Sequence, residues 1–203
     1  MPIGGRTLCN QTRDYALKIA AEQKPRYAIL FAAWANYSPD WDESSKLGTA
    51  LGNTIDQFFH TGTQVIVLGP APRWKGDLPV VAQKAREQLG QIPLRNKSVE
   101  NVISSVDQQI KTIAEHHGAK FISVNNLLCN DVGCLVYAPG EPSNLLSWDT
   151  GHLTTAGAKY VSNLIRPSIE PGDDDSTQSM ITIPGALAEP LAAVENPPRP
   201  PAR

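Results

Sequence analysis

Apolar residues recur along this chain in two rhythms. Tyr15, Ile19 and Ala20 share one face of residues 11–23, a helix that the pattern ends before Pro25, because a residue preceding proline is driven out of helical geometry. Tyr27-Ala28-Ile29-Leu30-Phe31-Ala32-Ala33 is then a continuous apolar run between polar residues, which predicts a strand buried on both faces. Leu47, Ala50, Leu51, Ile55, Phe58 and Phe59 return at helical spacing before Gly62, and Gln64 to Gly69 repeats the buried-strand pattern. Val99, Val102, Ile103, Val106, Ile110 and Ile113 predict a long helix capped by Asn96 and ended by Gly118. Phe121-Ile122-Ser123-Val124 reads as a further strand. After an irregular segment, Ala156, Tyr160, Val161, Leu164 and Ile165 predict a helix over 155–166 that Pro167 terminates. Helices alternating with apolar strands predict an α/β fold with a parallel sheet.

Only three strands stand out, and a helix precedes the first, whereas an α/β sheet usually opens on a strand and holds five or six. The pattern is that of a domain lacking its first strand, or of one whose residues 1–10 form an irregular arm. At the other end, Pro171, Pro184, Pro190, Pro197, Pro198, Pro200 and Pro201 crowd into a segment with no aromatic residue. Residues 1–170 are therefore expected to form the α/β domain and residues 171–203 a disordered tail.

Charge removes whole classes of function. Eighteen Lys+Arg against 20 Asp+Glu leave a formal net charge of −2, with no basic run, so the footprint of a nucleic-acid binder is missing. No apolar stretch approaches the roughly 20 residues of a membrane span. Residues 1–6 also lack the apolar core of a secretory signal.

Cys129 and Cys134 bracket Asn130-Asp131-Val132-Gly133, whose glycine permits the tight return of a local disulfide. Two free thiols in a loop remain the other reading, since spacing alone does not establish a bridge. Trp148-Asp149-Thr150-Gly151-His152-Leu153-Thr154-Thr155-Ala156-Gly157-Ala158 carries the candidate chemistry. A carboxylate three residues before an imidazole can fold back onto one ring nitrogen and leave the other free to take a proton. Capping, a surface pair or a metal ligand are the competing roles for an Asp-x-x-His pair.

The last segment resembles the final block of the SGNH hydrolases, α/β ester hydrolases with a catalytic Asp and His in D-x-x-H before the last helix. More narrowly, the chain is similar to the C-terminal SGNH domain of bacterial membrane O-acyltransferases. That resemblance spans residues 9–167 through Ala28 to Trp34, Val65 to Trp74 with Leu78-Pro79, the pair Cys129/Cys134, and Trp148 to Ala158. It implies a three-layer, flavodoxin-like sheet and an extracytoplasmic domain that moves or hydrolyses an O-acyl, typically acetyl, ester on a carbohydrate. It implies Asp149 and His152 as catalytic, no metal and no cofactor. Its partners would be an acylated carbohydrate or acyl donor and a membrane acyltransferase module encoded upstream. In that setting a Cys129–Cys134 disulfide is expected, with Cys9 unpaired or bonded elsewhere.

The departures from the family pattern matter equally. The family's nucleophilic serine lies in a Gly-Asp-Ser block after the first strand, and these 203 residues contain no such block. The chain is then expected to be inactive alone, as a truncated domain or an alternative start, or to be a non-catalytic carbohydrate-binding module. Ser44 and Ser45 precede a helical stripe and read as caps. The family's Gly-x-Asn-Asp block stands here as Ala33-Trp34-Ala35-Asn36. Asn36 is an oxyanion donor or a turn residue, and Trp34 a pocket wall or core. Arg73 and Trp74 suit a sugar ring or simple packing. His60 and the pair His116-His117 read as helix C-terminal cations, and a zinc site from Cys129, Cys134 and His152 lacks a second ligand pair.

Overall fold

Alternation along one strand organises the molecule. The computed structural model describes residues 7–37 and 39–170, with side chains from residue 11 onward apart from position 38. In chain order the elements are α1 Thr7–Gln23, β1 Tyr27–Leu30, α2 Trp34–Tyr37, α3 Lys46–His60, β2 Gln64–Leu68, α4 Leu78–Leu89, β3 Arg95–Asn96, α5 Val102–His116, β4 Lys120–Ile122, α6 Val124–Leu128, β5 Cys129–Asn130, β6 Gly133–Leu135 and α7 Thr155–Ile169. Strands β1, β2 and β4 form a parallel sheet in that spatial order, with Ile29 opposite Ile66 and Val67 opposite Phe121.

Because successive strand residues point to opposite faces, β2 feeds two cores. Val65 and Val67 pack with Ala20 of α1, Ile55 of α3 and Ile110 of α5. Ile66 and Leu68 pack with Leu128 of α6, Leu146 and Val161 of α7. Helices therefore cover both faces of the sheet, and the three-layer α/β expectation stands. Beside it, β3, β6 and β5 make a small antiparallel sheet in which Cys129 is directly opposite Cys134. That register holds the two Cα atoms 4.0 Å apart, and the disulfide is formed.

The structure corrects several element boundaries. β1 ends at Leu30 rather than Ala33, and it has a sheet neighbour on one side only among the described residues. Ile29 and Phe31 are accordingly about half exposed, not buried on both faces. α5 begins at Val102 with Asn101 as its cap, because Asn96 pairs with Cys134 in β3 and Val99 bridges Trp74. β4 stops at Ile122, since the Ser123 hydroxyl accepts the Asn126 N–H and starts α6. Pro167 does not end α7, which runs on to Ile169; proline so close to the end removes one helical bond and leaves nothing further to break. Of the expected arm at 1–10, residues 7–10 are instead the start of α1; residues 1–6, the expected tail at 171–203 and the Cys9 side chain lie outside the described residues.

Candidate active site

Parallel strands present their C-terminal ends to one crevice, and loops leaving those ends build the site. The chain after β1 supplies Phe31 to Asn36, and the chain after β2 supplies Pro70 to Arg73. With Ile103 of α5, Ala158 of α7 and Thr150 to Leu153, they line a cavity of about 550 Å³. The wall is mostly apolar, with Asn36, Arg73, Thr150 and His152 as its polar members.

The loop carrying Asp149 and His152 is fixed at both ends. Ser147 and Leu153 form an antiparallel bridge, and the Trp148 N–H donates to the His152 carbonyl at 3.1 Å. The Thr154 hydroxyl caps α7 by accepting the Gly157 N–H. Gly157 has to be glycine for a steric reason, since a Cβ there would fall 2.1 Å from the Leu146 carbonyl oxygen. The loop is also tied to the chain following β2: Trp74 N–H donates to the Thr150 carbonyl at 2.7 Å and Leu78 N–H to the Asp149 carbonyl at 3.2 Å.

Within this frame the Asp149 carboxylate folds back onto its own loop. Its Oδ1 accepts the N–H groups of Gly151 and His152 at 2.8 and 2.7 Å, and its Oδ2 lies 2.6 Å from His152 Nδ1. The Gly151 N–H first, then the His152 N–H and ring, hold the Asp149 carboxyl well below the ordinary carboxylate range, at about 2. An ionised carboxylate can only accept, so Nδ1 is the donor in this pair, and in the neutral form of the ring Nε2 keeps its lone pair. His152 is three-quarters exposed and the indole of Trp148 stacks on it, ring centres 5.5 Å apart. The arrangement can take a proton from a hydroxyl in the cavity and hold the resulting imidazolium.

The other expected site residues divide. Asn36 and Arg73 both line the cavity and meet there, Arg73 Nη1 donating to Asn36 Oδ1 at 2.6 Å. The opposite side of the guanidinium pairs with Glu100, Nε to Oε1 3.3 Å. Trp34 is both wall and core: it lines the cavity, yet it is buried, donates Nε1–H to the Leu68 carbonyl at 2.8 Å and sits edge-on to Trp41. Trp74 is a correction. It is 2% exposed and packs among Leu78, Val81 and Val136, away from the cavity, because its backbone is pinned to Thr150 and Val99.

Ser45 caps α3 and the Ser44 hydroxyl bonds Asp42; neither lines the cavity. No described residue lining the cavity is a serine. His116 and His117 pair with Glu43 and Asp56, and Cys129 and Cys134 are bonded to each other. Among the described residues no cluster of His, Cys, Asp or Glu is placed to hold a metal, and no helix is long and apolar enough to cross a membrane. Sequence reasoning did not find Thr150, Glu100 or the Pro70-Ala71-Pro72 wall as parts of the site. Thr150, inside the Asp-x-x-His segment, and Pro70-Ala71-Pro72, inside the segment Val65 to Trp74, carried a signal; Glu100 carried none.

Comparison with known proteins follows the same lines. The periplasmic domain of the Salmonella ser. Paratyphi A lipopolysaccharide acetyltransferase has a similar fold, with a TM-score of 0.66 at 23% identity. The match covers 77% of this chain and 61% of that one, so the chain spans about three fifths of the solved domain. No curated protein matches the sequence. The family model of the SGNH domain (fused to AT3 domains) matches residues 2–167, and with the strand order and the Asp-x-x-His loop already placed, the chain belongs to that family.

Proposed function

We propose that this domain supplies the base half of a serine-type ester site that transfers or hydrolyses O-acyl groups, typically acetyl, on a carbohydrate. The observation that carries the reading is the 2.6 Å contact from Asp149 to His152 Nδ1 at the edge of a cavity built by strand ends. A serine delivered to the cavity from a Gly-Asp-Ser strand attacks the acyl carbon. His152 Nε2 takes its proton and gives it to the leaving oxygen; in the second half it takes the proton of water or of an acceptor hydroxyl as that oxygen attacks the acyl-serine, and returns it to the freed serine, while Asp149 stabilises the imidazolium each time. Asn36 is the oxyanion donor in this reading: Arg73 occupies its Oδ1, so what it offers the cavity is its amide N–H. The acyltransferase works on the extracytoplasmic, periplasmic face, with a membrane acyltransferase module as partner, in keeping with the AT3 domains to which its family is fused.

One observation favours a second reading, a carbohydrate-binding module without turnover: the described cavity lining holds no serine. Hydrolysis of p-nitrophenyl acetate separates the two. The 203-residue chain should show no activity above a His152→Ala control, because loss of a triad nucleophile costs on the order of 10⁶-fold. A chain extended upstream through a strand ending in Gly-Asp-Ser should turn over, and His152→Ala or Asp149→Asn should then reduce the rate by about 10⁴-fold or more. Robust His152-dependent turnover by the unextended chain would overturn the missing-nucleophile reading. An extended, folded chain that never turns over would favour the binding module.

A further inference from the structure

A second depression opens beside the His152 cavity and shares its wall. It measures about 260 Å³ and has Pro72, Arg73 and Ile103 in common with the larger cavity. Arg73 is the partition: its guanidinium bonds Asn36 on the cavity side and Glu100 on the groove side. The chemistry changes across that partition. The cavity wall is Phe31, alanines, Trp34 and prolines, whereas the groove is lined by amides and a hydroxyl, Asn101, Asn125, Asn130 and Ser104.

We propose that this groove seats the sugar ring of a neutral acceptor glycan, with one hydroxyl directed past Arg73 toward His152. Charge decides against an anionic ligand, because Arg73 and Lys97 are balanced there by Glu100 and Asp131. Side-chain amides and hydroxyls both donate and accept, which matches a polyol's alternating needs. Asn101 starts α5 without spending its amide on a cap bond. Val99, Ile103 and Pro72 give the apolar strip that the C–H face of a ring requires. At about 260 Å³ the groove lies below the roughly 300–1,000 Å³ of a drug-sized site, a size for one ring rather than an oligosaccharide. The division of labour is physical: the acyl group lies in the apolar cavity, the acceptor in the polar groove, and the base stands on the cavity wall.

The proposal rests on the ester reading, so its test uses two probes. Amide NMR spectra of the 203-residue protein are titrated separately with methyl α-D-glucopyranoside or methyl α-L-rhamnopyranoside, and with ethyl acetate. The glycosides should shift the amides of Lys97, Asn101, Ser104 and Asn125, and ethyl acetate those of Phe31 and His152. Ser104→Trp, which fills the groove, should abolish the glycoside shifts and leave the ester shifts. Asn101→Ala, a gentler change, should weaken the glycosides by about threefold to tenfold. Glycosides that shift only the cavity, that shift nothing while ethyl acetate responds, or that bind less well than glucose 6-phosphate in the groove would overturn the neutral-acceptor assignment. A cavity that does not respond to ethyl acetate would instead overturn the ester reading beneath it.

Discussion

Asp107 lies on α5 beneath the end of β2 and is 6% exposed. Its Oδ2 accepts the Ser123 hydroxyl at 2.7 Å, while its Oδ1 has no hydrogen-bond partner and faces Gly69, where a Cβ would fall 2.2 Å away. Burial pushes its carboxyl above the ordinary carboxylate range, against the Ser123 bond and Lys111. A raised folded pKa means that the native state holds the proton more tightly than the unfolded chain, so the stabilisation is present at acid pH and lost as pH rises. At neutral pH Asp107→Asn should therefore raise the melting temperature by a few degrees, about 1 kcal/mol, because the amide keeps an acceptor for Ser123 and removes the buried charge. The gain should vanish toward about pH 4; melting curves at both pH values check it. Asp149 has the opposite sign. Its lowered pKa makes its contribution full above the ordinary carboxylate range, to be lost only as pH falls toward about 2.

The elements that position the site differ in how plainly the sequence announced them. The stripes of α3, α5 and α7 were legible because one apolar face repeats over 15 residues, whereas α1 packs Leu17 and Ala20 on the core and leaves the expected Tyr15 exposed. α4 went unread although Leu78, Val81, Ala82 and Ala85 form its buried face, since Pro79 and the exposed Val80 blur the start. β3, β5 and β6 have two or three residues each, too few for any period, and only Cys129 and Cys134 marked their hairpin. That hairpin makes a prediction at its own scale. Replacing both cysteines by serine removes a closed loop of a few residues, worth on the order of 2 kcal/mol in chain entropy. The variant should melt several degrees lower, while unreduced, alkylated wild type should show neither thiol modified in mass spectra. At the entry to α7, Gly157→Ala drives a methyl into the Leu146 carbonyl. Denaturant unfolding should report a loss of about 1–3 kcal/mol and reduced order in the Asp149 to His152 loop.

At the scale of the whole molecule, the site exists because three remote stretches are gathered at one end of the sheet. The contact between Asp149 and His152 could be read from the chain, for the two are three residues apart and need only a local turn. Asn36 and Arg73 could be suspected one at a time but not joined, and Glu100 not at all, because the contacts from Asn36 to Arg73 and from Arg73 to Glu100 depend on how β1, β2 and α5 pack. Trp74 misled for the same reason: its place in the chain is beside Arg73, and its place in space is the core. The central claim is that this assembly fixes His152 as a base with Nε2 unprotonated at the cavity. Nitrogen NMR of the two ring nitrogens, recorded at a pH where the imidazole is neutral, measures that directly. Nδ1 should carry the proton and Nε2 should give the signal of a bare nitrogen, with Asp149→Asn moving the ring toward a mixture of tautomers. A proton on Nε2 in the wild-type protein, or a tautomer indifferent to Asp149, would contradict the account.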